Sequence, residues 1–455
     1  MSVRDVFLFG MFAILVPMIL AHPYIGTLAW VTFGVMSPHR LTWGVAYDFQ
    51  FSLLIAILTL VGLVFTREHR KIKGGMPGVV LVALMAWICF TAFFPFNPAQ
   101  AWAYWERVIK TFAMTGVLLI LLHTRRHVEL LVWTLVVSLG FYGIKGGIFT
   151  ILQGGGARVF GPSGSMVEDN NSLAIGLIIV IPLLVHLHRQ YRNKWLRLGL
   201  AGAVALCTAS VLGSWSRGAL LGIFAMGLLL WVRSTRKLAI SVPILAFVLI
   251  AIPAMPEEWT KRMETTRTYE QDASAMGRIV AWETAFNIAK DRFPFGGGFD
   301  YESRETSAKY SPDPSTVLVA HSIYFQVLGS QGFVGLAVFL LFWTLVWRQC
   351  AWIRRKSRDL PDLRWAFSLA SMTQVALVGY AVGGAFLNLA FWDLPYYLFA
   401  AVGTTQYVVG QQLGLLESGS PAGPAPPKSV GEAGRRSSVG WEPESRPPPS
   451  AGRSG

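Results

Sequence analysis

The chain has 455 residues, of which 53% are hydrophobic and only 14% charged, and its mean hydropathy is +0.48. A soluble domain carries about 25% charged residues, so a soluble globular protein is excluded. The formal charge of +14 reads as a topology signal, because Lys and Arg sort to one side of a membrane chain, and no nucleic-acid partner is expected.

Two short apolar pieces open the chain, at about 6–20 and 24–36. The first lacks a small-residue cleavage site and runs into more apolar sequence, so it is expected to be retained in the membrane. Apolar segments follow at about 49–65, 76–95, 107–122, 128–150, 171–188, 195–213, 218–232, 238–255, 321–347, 365–388 and 392–410. Segments near 20 residues cross a bilayer core of about 30 Å as helices. The expected fold is an all-α polytopic membrane protein of about 12 transmembrane helices, one N-terminal piece being interfacial or re-entrant.

The connecting loops alternate in charge. REHRKIK (67–73), HTRRH (123–127), HLHRQYRNKWLR (186–197), VRSTRK (232–237) and WRQCAWIRRKSR (347–358) are dense in Lys and Arg, whereas FNPAQAWAYW (96–105) and NLAFWDLP (388–395) are nearly free of both. The basic loops are therefore expected to be cytoplasmic and the others outside. Residues 1–416 are expected to form the membrane domain. Residues 417–455, rich in Pro, Gly and Ser, read as a disordered cytoplasmic tail. Cys89, Cys207 and Cys350 show no metal-type spacing and read as packing residues.

Three outward sites break the charge rule. Arg217 stands between two spans in GSWSRGALLG (213–222), and Arg158 lies in LQGGGARVFGPSGSMVEDN (152–170). The long loop of about 256–320 holds Arg262, Arg267, Arg278, Arg292 and Arg304 and leads to His321. Within it, PEEWTKRMETT reads as a short amphipathic piece. DASAMGRIVAWETAFNIAKDRFPFGGGFD reads as a helix ended by Pro294 and three glycines, with an apolar stripe of Ile279, Trp282, Phe286 and Ala289. Outward arginines suit a multiply charged anion, since the planar guanidinium fork matches phosphate oxygens and stays charged. The ordinary alternative is an anchor bathing in headgroup phosphates. For His321 that alternative is an interfacial histidine. Glu168 and Asp169 are rival bases, although EDNNS ahead of an apolar run also suits a helix N-terminus.

SWSRGALLG, GRIVAWETAFNIAKDRFPFGGGFD and AHSIYFQVLGSQGFVG together resemble the O-antigen ligase and Wzy-type polymerase superfamily, over roughly residues 150–345. The N-terminal part and GPSGSMVEDNNS (161–172) further resemble ligases found with exosortase systems. The resemblance implies a GT-C-like glycosyltransferase of the bacterial inner membrane with a large, partly helical periplasmic loop and an active site facing the periplasm. The donor would be a glycan on undecaprenyl pyrophosphate and the acceptor a sugar hydroxyl of lipid A–core, completing lipopolysaccharide. Transfer would be inverting, with no cofactor and no metal. Arg217, Arg278 and His321 would be catalytic, and Arg158, Arg217, Arg278, Trp282 and Tyr324 would bind substrate. A protein O-oligosaccharyltransferase and a polysaccharide polymerase are alternatives of the same class, and a lipid-linked glycan transporter is one of another class.

Overall fold

The computed structural model describes residues 2–65, 71–234, 237, 241, 257 and 273–415. The expected crossing at 238–255, the PEEWTKRMETT piece, Arg262, Arg267 and the tail at 417–455 lie outside the described residues. Met1–Leu416 forms one compact unit.

The described residues are helical, without a strand. The helices are α1 (Val3–Ala21), α2 (Pro23–Val35), α3 (Phe51–Phe65), α4 (Gly75–Thr91), α5 (Pro98–Leu121), α6 (Arg125–Leu152) and α7 (Asn170–Gln190). After them come α8 (Lys194–Gly213), α9 (Arg217–Arg233), α10 (Ala273–Asp291), α11 (Arg304–Tyr310), α12 (Ile323–Ser357), α13 (Arg364–Gly383) and α14 (Asp393–Gln412). Six of these segments are long and apolar enough to cross a membrane, and α3 and α4 are shorter apolar helices. The protein is a multi-pass membrane protein.

Two loops expected from charge are helix instead. The FNPAQAWAYW segment is helical from Pro98, where the missing proline N–H costs nothing at the first helical position. The basic WRQCAWIRRKSR segment continues α12 to Ser357, placing Arg354, Arg355 and Lys356 against the negative end of the helix dipole. Hydropathy marks where a helix leaves the apolar layer, which is not where its hydrogen bonding stops.

α7, α13 and α14 are buried on most faces and form the centre of the bundle, whereas α1 lies at its edge. α13 packs on α7, α9 and α12. Small residues bring the α6–α8 pair together: Gly143 and Gly146 of α6 face Cys207 and Ser210 of α8, and Gly147 faces the Leu206 backbone. Cys207 and Cys350 are fully buried.

The second half of the long loop is folded. Tyr310 donates to Asp291 (2.6 Å) and Asn287 donates to the Tyr310 carbonyl (3.0 Å), tying α11 to α10. α10 packs on α12, and its buried residues are Ala281, Thr284, Ala285, Ile288 and Ala289. The expected stripe is divided: Ala289 is buried and Trp282 stacks on Phe325 of α12, whereas Ile279 and Phe286 are 41% and 45% exposed. Alanines four residues apart let the helix approach closely, so side-chain size did not mark the packed face.

Beyond α10 the FPFGGGF segment docks on α12. Gly297 and Gly298 donate backbone N–H groups to the carbonyls of Gly329 (2.8 Å) and Ser330 (2.9 Å). There α12 kinks at Gly332, whose φ of 69° is open to glycine at little cost.

Candidate active site

The SWSRG turn joins α8 to α9. Trp215 adopts φ 59°, rare for a non-glycine residue, and is held there by burial and by its indole N–H, which donates to the Gly155 carbonyl (3.1 Å). Asn170 donates to the Ser214 carbonyl (2.6 Å), and the Gly213 carbonyl accepts from Val159 (3.0 Å). Ser216 caps α9, accepting from Ala219. Arg217 is therefore the first residue of a helix, where unsatisfied N–H groups and the dipole already favour an anion.

Arg278, one turn into α10, reaches the same place. A narrow cavity of about 40 Å³ is lined by Asn171, Ser216, Arg217, Gly218, Arg278, Phe386 and Leu387. The Arg278 guanidinium lies 5.9 Å from the centre of the Phe386 ring. A Cβ on Gly218 would come within 3.1 Å of Phe386, so the glycine lets that wall close.

His321 is reached through Trp282, one turn beyond Arg278. The Trp282 indole donates to the Ala320 carbonyl (2.8 Å), and its ring stacks on Phe325 at 5.0 Å. On the other side, the Ser322 N–H donates to Asn388 Oδ1 (3.2 Å). Between these two anchors His321 takes φ 44°. Partial desolvation and the charge of Arg278 hold its imidazole below the ordinary value, with Asp169 pulling the other way.

Residues 202–340, which contain Arg217, Arg278 and His321, match a family model described as O-antigen ligase. That segment of the chain is therefore similar to the O-antigen ligase family. Residues 3–192 match a family of unknown function. No curated protein matches the chain significantly. The match supports ligase- or polymerase-type glycan transfer in the membrane as the coarse activity.

The remaining sequence-predicted residues fall apart into different settings. Arg158 is exposed and its guanidinium lies over the Trp215 ring (5.3 Å), so the loop of 152–170 does meet the SWSRG turn. Asp169 is the N-cap of α7, accepting from Asn171 and Ser172. Glu168 accepts from Ser163 (3.0 Å) and from the Gly164 N–H (2.9 Å), bracing its own loop. Tyr324 is not part of the arginine cavity's wall and donates to the Ala381 carbonyl (2.9 Å).

Sequence reasoning missed Asn171, Phe386 and Leu387 in the cavity wall, and Asn388 beside the histidine. It also missed Glu302. Burial pushes the Glu302 carboxyl up to about 7 despite the neighbouring Ala320 N–H, which places this acid beside the residue preceding His321. Among the described residues no group of three or more His, Cys, Asp or Glu side chains is arranged to hold a metal ion.

Proposed function

We propose that this protein transfers a glycan from undecaprenyl pyrophosphate to an acceptor sugar hydroxyl of lipid A–core, on the periplasmic face of a bacterial inner membrane. The observation that carries the reading is the convergence of Arg217 and Arg278 on one cavity, with His321 anchored next to it. The acceptor oxygen attacks the anomeric carbon from the face opposite the phosphate, and the carbon–oxygen bond to pyrophosphate breaks with inversion. His321 takes the hydroxyl proton. The two guanidinium groups and the α9 N-terminus neutralise the charge that grows on the leaving pyrophosphate. Arginines supply electrostatically what a divalent cation supplies elsewhere, so no metal is required.

The test is purified protein given one defined polyprenyl-pyrophosphate glycan, excess chelator and three competing acceptors: lipid A–core, a second lipid-linked glycan and a Ser/Thr-rich peptide. The expected product is glycosylated lipid A–core, identified by mass. A glycosylated peptide or an elongated lipid-linked glycan would assign another acceptor. Movement of the donor across a sealed vesicle without any product would replace transfer by transport.

A further inference from the structure

The other end of the bundle holds a second pair of arginines, remote in sequence from the first. Arg233 ends α9, and its guanidinium lies 5.4 Å from the centre of the Trp347 ring on α12. Arg354, two turns further along α12, donates to Gln374 Oε1 (2.9 Å), and Gln374 Nε2 donates to the Trp347 carbonyl (3.1 Å). Trp347 and Gln374 thus bring both guanidinium groups to one place, close enough to repel each other. Among the described residues neither pairs with a carboxylate. Arg233 Nη1 and Arg354 Nε are buried and have no hydrogen-bond acceptor there. Two like charges held together with unused donors fit a doubly accepting anion such as a phosphate.

What lies beside the pair decides the kind of phosphate. A groove of about 320 Å³ runs between α12 and α13, walled by Phe339, Leu340, Trp343 and Trp347 on one side and by Leu377 and Val378 on the other. Trp347, under Arg233, is part of that wall, so the cationic pair and the apolar groove are continuous. One helical turn, about 5.4 Å, separates Trp347 from Trp343. The Trp343 indole N–H is buried and also has no acceptor among the described residues. A single molecule meeting all three features has a phosphate at the arginines, a hydrogen-bond acceptor about one turn deeper, and hydrocarbon beyond. A free phosphate would use only the first.

We propose that the groove between α12 and α13 is a binding site for an anionic glycerophospholipid, its phosphate held by Arg233 and Arg354, an ester carbonyl accepting from Trp343, and its acyl chains lying along the apolar walls. The site is at the end of the spans that carries the basic segments, where anionic headgroups attract arginine. Its far end is lined by Ile323 and Tyr324, just after His321, but it shares no lining residue with the cavity of Arg217 and Arg278, and it holds whether or not the proposed transfer reaction is right. The lipid fills the gap between two helices that pack on each other, one of which also packs on α9, so it acts as a structural ligand of the half of the bundle that carries His321.

The experiment is native mass spectrometry of the purified full-length protein in detergent, titrated separately with phosphatidylglycerol and phosphatidylcholine, and with inorganic phosphate as competitor. Phosphatidylglycerol should be retained as a discrete adduct, phosphatidylcholine far less, and excess inorganic phosphate should not displace the lipid. In Arg233→Gln/Arg354→Gln, retention should weaken roughly 30-fold, as expected for the loss of two charges near the membrane surface. Melting of that variant in phosphatidylcholine reports its folding. If it folds poorly, Trp343→Phe keeps the ring, loses the N–H and should still lower retention by about threefold or more. Equal retention of the two lipids, displacement by inorganic phosphate, or unchanged retention in a folded variant would overturn the site.

Discussion

The indole N–H of Trp282 donates to the carbonyl of Ala320 across 2.8 Å, linking the helix that carries Arg278 to the residue that precedes His321. The resemblance implies Trp282 as a substrate-binding residue, and its ring is stacked on Phe325. In the proposed reaction it positions the histidine.

Trp282→Phe keeps a ring against Phe325 and removes the N–H. The lost hydrogen bond should cost about 1 kcal/mol of stability. Glycan transfer should fall about tenfold while donor affinity stays unchanged, because near-attack geometry is lost before binding is. Separate measurement of donor binding and of turnover checks this. Weakened donor binding would return Trp282 to the role of substrate platform.

The pH dependence of transfer follows from the setting of His321. Its imidazole is held below the ordinary value of 6.5, so the neutral form that accepts a proton persists to lower pH. The ascending limb of the pH–rate profile should therefore lie below 6.5. His321→Ala should lower transfer by roughly 10²–10⁴-fold, the range for loss of a general base, and abolish that limb. A limb that persists in the variant would pass the role to another group, with Glu302 the first to examine.

Glu302 gives a prediction about stability alone. A carboxyl raised to about 7 in the folded chain contributes stability that is complete below its ordinary value of 4.5 and is lost as pH rises through 7. The melting temperature of Glu302→Gln relative to wild type should therefore rise between pH 5 and pH 8. A difference that stays constant with pH would show that Glu302 is as well solvated folded as unfolded.

The helices were legible because apolar length survives any tertiary arrangement. Arg217, Arg278 and His321 were legible because charge on the wrong side of a span, and a histidine at its edge, stand out against composition. What could not be read is whatever depends on segments meeting. Asn171, Phe386 and Leu387 are ordinary residues until α7, α9, α10 and the turn after α13 converge. Glu302 looks like any loop acid until Tyr301 and its neighbours bury it. On α10 the buried Ala281 and Ala285 were not read as part of the packed face, because alanine is the weakest signal of burial in a sequence, yet it is what a close helix pair selects.

The central claim is that Arg217 and Arg278 hold one pyrophosphate between them. A double-mutant cycle tests it most directly, with transfer measured for wild type, Arg217→Lys, Arg278→Lys and the double variant at saturating acceptor. Lysine keeps each charge and removes the bidentate fork, so each single change should lower transfer by about 10²-fold, as for the loss of a transition-state donor. Because both groups serve the same leaving anion, the double variant should lose far less than the product of the two, and the cycle should show a coupling well above about 0.5 kcal/mol. Near-normal turnover in either lysine variant, or strictly multiplicative losses, would mean that the two arginines do not share an anion and would contradict the account.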